Sequence, residues 1–252
     1  MIELHAHGPI HEIRMARPPV NALDPALLQA LRTAVEDAPR QGARGIVLSG
    51  GQGVFSGGMD VLHLVGTDAA GLRGAWEDFF AACRALAKSP VPVVAAIGGH
   101  APAGGCVLAL CCDYRVMARS PDPAKPFRIG LNEVQVGLAV PDGIQRLLRR
   151  LVGPRRAERL MVAGAMIPAR RAFAIGMVDE LADLDKVNAT AIGWLSGLLA
   201  LPSSPMLRTR ALARAEVIDA LENHIHLDGF IDAWDEPDTQ NTLRALVAKL
   251  RK

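Results

Sequence analysis

The sequence predicts an α/β protein with a sheet-containing core followed by a helical tail. Three observations carry this reading. Short apolar strands alternate with helical stretches as far as about Glu133. From Asp142 onwards nearly every segment has helical periodicity, and three successive helical stretches there each end at a glycine. Strands interleaved with helices, then a run of helices, is the pattern of a layered core carrying a helical appendage.

Taken in order, Ile2–His5 and Ile10–Met15 alternate on either side of "HGP" and read as a hairpin. Asp24 is placed to cap a helix with Pro25 at its first position, and Leu27, Leu28, Leu31 and Val35 form its apolar stripe. Ile46–Leu48 is a short buried strand that leads into "SGGQGVFSGGMD". A helix around Leu72–Lys88 sets Trp76, Phe79, Phe80 and Cys83 on one side. "VPVVAAI" is the next strand and runs into "GGHAPAGGCVLALCCD", where Val107–Cys112 supplies a helical turn or two. "YRVM" returns as a strand, and Pro121, Pro123 and Pro126 mark an irregular loop. The helices "IQRLLRRLVG", "PRRAERLMVAG" and "PARRAFAIG" follow, and a last helical stretch begins near Asp185. The division expected is a core over residues 1–184 and a tail over 185–252.

The chain has 252 residues, half of them hydrophobic, which is enough for one large domain or a domain with a small appendage. With 28 basic against 26 acidic residues there is no electrostatic case for nucleic acid, and scarce Tyr and Phe argue against base-stacking platforms. Cys83, Cys106, Cys111 and Cys112 form no CxxC pair and read as reduced core thiols of a cytoplasmic protein. "MIELHAHGPIHEI" lacks the basic and apolar regions of a secretory signal, and the apolar runs are broken well before membrane-spanning length. A soluble protein with no membrane partner is expected.

Several motifs have plain readings. Gly51-x-Gly53-x-x-Ser56 lacks the third glycine and the following helix of a dinucleotide fingerprint, so it reads as a loop. Ser56 lacks the G-x-S-x-G frame of a nucleophile elbow. The histidines show no HExxH, His224 and His226 would face different sides of a helix, and no metal is expected. Two places remain where small residues end a strand and begin a helix, Ser56–Asp60 and Ala103–Cys106. Glycine there lets backbone approach a ligand, and free N–H groups can hold an anionic oxygen. "IGLNEVQVG" then supplies a lone carboxylate, Glu133, whose apolar neighbours should raise its pKa.

Together "RPPVNALD", "GIVLSGGQGVFSGGMD", "VPVVAAIGGHAPAGGCVLALCCDYRVMA", "IGLNEVQVGL" and "QRLLRRLVG" resemble the crotonase (enoyl-CoA hydratase/isomerase) superfamily over the first two-thirds of the chain. "APAGGC…ALCCDYR" with "IGLNEVQVG" most resembles its mitochondrial-type Δ3,Δ2-enoyl-CoA isomerases. The resemblance implies a crotonase-like spiral of ββα units with a C-terminal helical oligomerisation region. It implies an acyl-CoA thioester substrate and an enolate held by two backbone amides, which fall on Met59 and Gly104. It places Ala22, Leu23, Gly58, Asp60, Val61, Gly105 and Val107 along the thioester and coenzyme A, with Arg14, Arg17 or Lys249 as candidates for the phosphates. Coenzyme A is part of the substrate, and no further cofactor is implied.

The family's hydratases carry a glutamate directly after "GGC" and another in the later phrase. Here the first position is Val107, and Glu133 alone remains. Hydration employs two acids, whereas moving a double bond from C3 to C2 needs one base that takes a proton from C2 and returns it at C4. The expectation is therefore a 3-enoyl-CoA to 2-trans-enoyl-CoA isomerase of fatty-acid β-oxidation. A hydratase or other crotonase-type enzyme, or a non-catalytic acyl-CoA- or RNA-binding relative, is the alternative. Asp142 reads as a helix cap rather than a second acid. Apolar stripes at Leu195, Leu198 and Leu199, and at Leu243, Leu246, Val247 and Leu250, read as subunit contacts. The resemblance implies a homotrimer or a hexamer built from two trimers, with each tail beside a neighbour's site.

Overall fold

The computed structural model describes residues 1–250; the side chain of Leu250, expected on the tail's apolar stripe, and residues Arg251 and Lys252 lie outside the described residues. β1 (Ile2–His7) and β2 (Ile10–Met15) form the hairpin, and α1 (Pro25–Asp37) follows, with Asp24 accepting the Leu27 N–H as its cap. The chain then winds through repeated units. β3 (Gly45–Ser49) and β4 (Gly53–Val54) precede α2 (Val61–Gly66) and α3 (Ala69–Lys88). β5 (Val93–Ile97) and β6 (Gly99–Pro102) precede α4 (Gly104–Leu110). β7 (Tyr114–Ala118) and β8 (Arg128–Gly130) lead through a 3-10 turn at Glu133–Val136 into α5 (Asp142–Val152).

Each turn of this spiral gives one strand to each of two sheets. The larger sheet has the order β1-β2-β3-β5-β7-β10, parallel except for the hairpin, and the smaller has the order β4-β6-β8-β9. β3 and β5 are buried on both faces, which is why "GIVLS" and "VVAAI" run apolar without alternation. The small sheet is crowded, and a Cβ at Gly99 would overlap the backbone of Gly53. That close approach explains one of the glycine pairs.

α6 (Pro154–Val162), β9 (Ile167–Pro168), α7 (Ala169–Ala174) and β10 (Glu180–Ala182) come next. The two strands interrupt this nearly all-helical region; at two and three residues they are too short to leave a period in the sequence. α8 (Val187–Leu199), α9 (Ser203–Ala213), α10 (Ala215–Asn223), α11 (Leu227–Asp232) and α12 (Pro237–Leu250) complete the described chain. His224 and His226 lie in the link between α10 and α11, not on a helix. No helix is long and apolar enough to cross a membrane among the described residues.

The tail is joined closely to the core. α8 lies across β3, β5 and β7, and Leu195, expected at a subunit contact, is instead buried in this chain's own core. Asp113 receives Arg210 through two 2.8 Å bonds and Arg214 at 3.2 Å, and Arg214 also donates to the Cys111 carbonyl. These buried, charge-assisted contacts fix α9 and α10 to the end of the "GGCVLALCCD" segment. α12 packs on the 3-10 turn and α2, with Leu243 and Val247 facing inward, so these two residues of its stripe are covered within the same chain.

Candidate active site

The two glycine-rich turns meet. Leu23 and Met59 form an isolated parallel bridge, in which Leu23 donates to the Gly58 carbonyl at 2.8 Å and Asp60 donates to the Leu23 carbonyl at 3.0 Å. Pairing of that kind turns the N–H of Met59 to the opposite side. The Ser56 hydroxyl braces the loop, donating to the Asn21 carbonyl and accepting from the Gly58 N–H. Gly58 has φ +84°, and a Cβ built on it would lie 3.3 Å from the Gly104 nitrogen, so the second turn touches the first.

Ala103 precedes that nitrogen with φ 43° and ψ −117°, a conformation rare outside glycine and of the sort that collects at functional sites. It starts α4 at Gly104, three residues earlier than the sequence reading. The buried α4 can place Gly105 hard against Ser56, where a Cβ would come within 2.6 Å of the Ser56 carbonyl. Among the described residues neither the Met59 nor the Gly104 N–H has a hydrogen-bond acceptor. For Gly104 this follows from its place in the first turn of a helix.

Both turns open on a cavity of about 690 Å³. Glu133, at the start of the 3-10 turn, lines it too, is only 8% exposed, and has one carboxylate oxygen, Oε2, without a hydrogen-bond partner. Burial pushes its carboxyl up to about 7. Burial first, and the Glu133 charge second, raise the Cys106 thiol well above its ordinary value. All four cysteines are free and buried.

Of the sequence-predicted residues, Ala22, Met59, Asp60, Val61, Gly104, Val107 and Glu133 line this cavity. Leu23, Gly58 and Gly105 do not; they stand behind its wall and set the position of the turns. Arg17 reaches the cavity but is taken up by the two helix-capping acids, Asp24 at 3.1 Å and Asp60 at 2.7 Å, and by the Ala22 carbonyl. Arg14 pairs with Glu3 and lines a separate, smaller cavity. Asp142 is neither cap nor second acid. It is the first residue of α5, lies outside the cavity, and is held ionised by a hydrogen bond to Arg146 at 2.9 Å.

Sequence reasoning missed the aromatic wall. Trp76, Phe79 and Phe80 of α3 meet Phe230 of α11 and Trp234, with the Trp76 and Phe230 rings edge to face at 4.6 Å. Five of the chain's ten Trp, Tyr and Phe residues therefore line one cavity, a concentration that separates this wall from ordinary core. The tail supplies part of it, since Leu243 and Leu246 of α12 line the same space. The α3 stripe was visible in the sequence as a buried face, but that it faces a void was not.

The sequence profile of the enoyl-CoA hydratase/isomerase family matches residues 5–248. The chain is 29% identical over 256 aligned positions to human mitochondrial enoyl-CoA delta isomerase 1, covering all of this chain and 83% of that protein. It is 33% identical over 211 positions to a probable enoyl-CoA hydratase of Mycobacterium tuberculosis, covering 82% of this chain and 76% of the relative. Among solved structures, human mitochondrial delta3-delta2-enoyl-CoA isomerase superimposes with a TM-score of 0.89 at 28% identity, covering 99% of this chain and 98% of that one. The two meeting turns, the ββα spiral and the full-length profile match agree, and the chain belongs to the enoyl-CoA hydratase/isomerase family.

Proposed function

We propose that this protein isomerises 3-enoyl-CoA to 2-trans-enoyl-CoA, with Glu133 as the only proton carrier. The observation that carries the reading is the cavity's supply of acids. Two carboxyl residues line it among the described residues, and Asp60 is bound by Arg17 and by the His63 N–H. Val107, 2% exposed, occupies the position where hydratases of the family have an acid. Glu133 removes a proton from C2, the electron pair moves onto the thioester oxygen, and the amides of Met59 and Gly104 hold the enolate. The C3–C4 π bond becomes C2–C3 as the carboxyl returns the proton to C4. Atoms and electrons balance without a metal or redox cofactor, and the apolar aromatic wall takes the acyl chain.

A base must be ionised before it acts, and burial raises the Glu133 carboxyl to about 7. The value of kcat/KM is therefore expected to climb as pH rises through 7 and to level off above it. Purified protein should isomerise 3-hexenoyl-CoA and hydrate crotonyl-CoA poorly or not at all. The relative named as a probable hydratase favours the second reading, and rapid hydration without isomerisation would establish it.

Assembly is part of the proposal, in revised form. The exposed or half-exposed apolar groups Trp194, Leu198, Leu201 and Met206 remain for subunit contacts, whereas Leu243 and Val247 of α12 are buried within the chain. Light scattering at assay concentration is expected to give a trimer or a dimer of trimers; a fully active monomer contradicts it.

A further inference from the structure

We propose that the side-chain oxygen of Asn132 is the positioning contact that holds Glu133 while it carries the proton between C2 and C4. The inference rests on the isomerase reading above and assigns a residue that reading does not use.

Asn132 stands at the N-cap of the 3-10 turn that begins with Glu133. Asparagine at such a place ordinarily gives its oxygen to a backbone N–H of the first turn. Here it makes no cap hydrogen bond, and its Oδ1 is buried without a donor. The neighbouring Glu133 Oε2 is buried and unpartnered as well. Consecutive residues have Cα atoms only about 3.8 Å apart, and both residues line the same cavity.

Asn132 Oδ1 and an ionised Glu133 Oε2 are both acceptors and cannot serve each other, so both oxygens stand unpartnered here. Once Glu133 has taken the C2 proton, its carboxyl is a donor, and Asn132 Oδ1 is the matching acceptor. The other buried unpartnered polar atoms among the described residues, Trp76 Nε1 and Arg115 Nε, are donors and cannot take that role. Nearby walls are apolar, formed by Val107, Val136 and Leu138. The titratable groups around Glu133 are the protonated Cys106 thiol on α4 and, elsewhere on the cavity wall, Asp60 and Arg17, which pair with each other. After it leaves C2 the proton rests in a hydrogen bond to that acceptor, and this hydrogen bond breaks as the O–H turns to C4. The step adds no reactant: a C2–H bond breaks, an O–H bond forms, and it is spent on C4–H.

The test compares wild type with Asn132→Leu and with the isosteric Asn132→Asp. Kinetics with 3-hexenoyl-CoA between about pH 5 and 9 are expected to show kcat lowered about tenfold or more by Asn132→Leu, with KM within about twofold. Asn132→Asp places an anionic acceptor beside Glu133 and should move the rising limb of kcat/KM upward by about one pH unit. A second readout does not need turnover. The infrared carboxyl band of Glu133, identified by its loss in Glu133→Gln, should shift to higher frequency in Asn132→Leu as its hydrogen bond is lost. A folded Asn132→Leu protein with wild-type kcat and an unmoved band overturns the contact, as does an Asn132→Asp limb that stays in place. If Asn132→Leu does not fold, Asn132→Asp decides by the same limb and band. If wild type does not isomerise at all, the isomerase reading falls, and the band shift still decides the contact.

Discussion

Replacing Glu133 by glutamine is expected to abolish turnover and, above neutral pH, to make the fold more stable. The amide keeps the shape of the side chain and cannot accept a proton from C2, so kcat should fall by about a hundred- to ten-thousandfold. Binding of an acyl-CoA, measured by calorimetry, should stay within a few-fold, because the amides and the apolar wall are untouched. The stability effect follows from the same burial. The carboxyl is raised from 4.5 to about 7 in the folded chain. Between those two values the folded state binds more protons than the unfolded state, so stability falls as pH rises through that window and stays lower above it. A shift of this size corresponds to about 3 kcal/mol. Glutamine never ionises and escapes the loss. Thermal melts should place the variant several degrees above wild type near pH 8.5 and nearly level with it near pH 5. A variant less stable than wild type at high pH would show that the Glu133 charge has a partner. Turnover within a few-fold of wild type would make Glu133 structural, and Asp142, paired with Arg146 outside the cavity, could not replace it.

The parts of this fold that sequence made legible are those governed by local rules. Asp24 with Pro25, the unbroken apolar runs of β3 and β5, and the hairpin around Gly8 each answer to capping, burial or turn chemistry over a few residues. Gly164 and Gly176, past the ends of α6 and α7, take φ +55° and +78° and close those helices as glycine stops do. The meeting of the two turns was readable only through the family's motifs, because nothing local tells Gly58 that Gly104 lies beside it. What stayed hidden depends on which surface an apolar face covers. Leu195 and Leu243 carry the same stripe whether they pack on a neighbour or on their own chain, and the structure turns both inward. Arg17 reads in the sequence as a candidate cation for a phosphate, whereas in the fold Asp24 and Asp60, both helix caps, pair with it. Asn132 carries no signal in the sequence, since an asparagine before a short helix is an ordinary cap and only the structure shows its oxygen unused.

Substituting Gly58 by alanine is expected to cost about a hundred- to a thousandfold in kcat, the usual effect of losing one donor to a developing oxyanion. Two separate effects act at this position. The backbone has φ +84°, so any side chain pays a conformational cost of about 1–2 kcal/mol. The new methyl would also sit 3.3 Å from the Gly104 nitrogen, 3.4 Å from the Pro102 carbonyl and 3.5 Å from the Ala103 Cβ, beside the N–H proposed to hold the enolate. Backbone on both sides leaves no flexible side chain to yield, so the two turns must move apart or the amide must rotate. Gly53 separates the effects. It has φ +88°, but a Cβ there meets nothing within 4 Å. Gly53→Ala should therefore lose a similar amount of stability in urea unfolding while keeping kcat within a few-fold. Equal losses of activity in the two variants would trace the defect to general backbone strain and remove Gly104 from the proposed oxyanion site. A large loss in Gly58→Ala alone, with the melting curves matched, would tie catalysis to the contact between the turns.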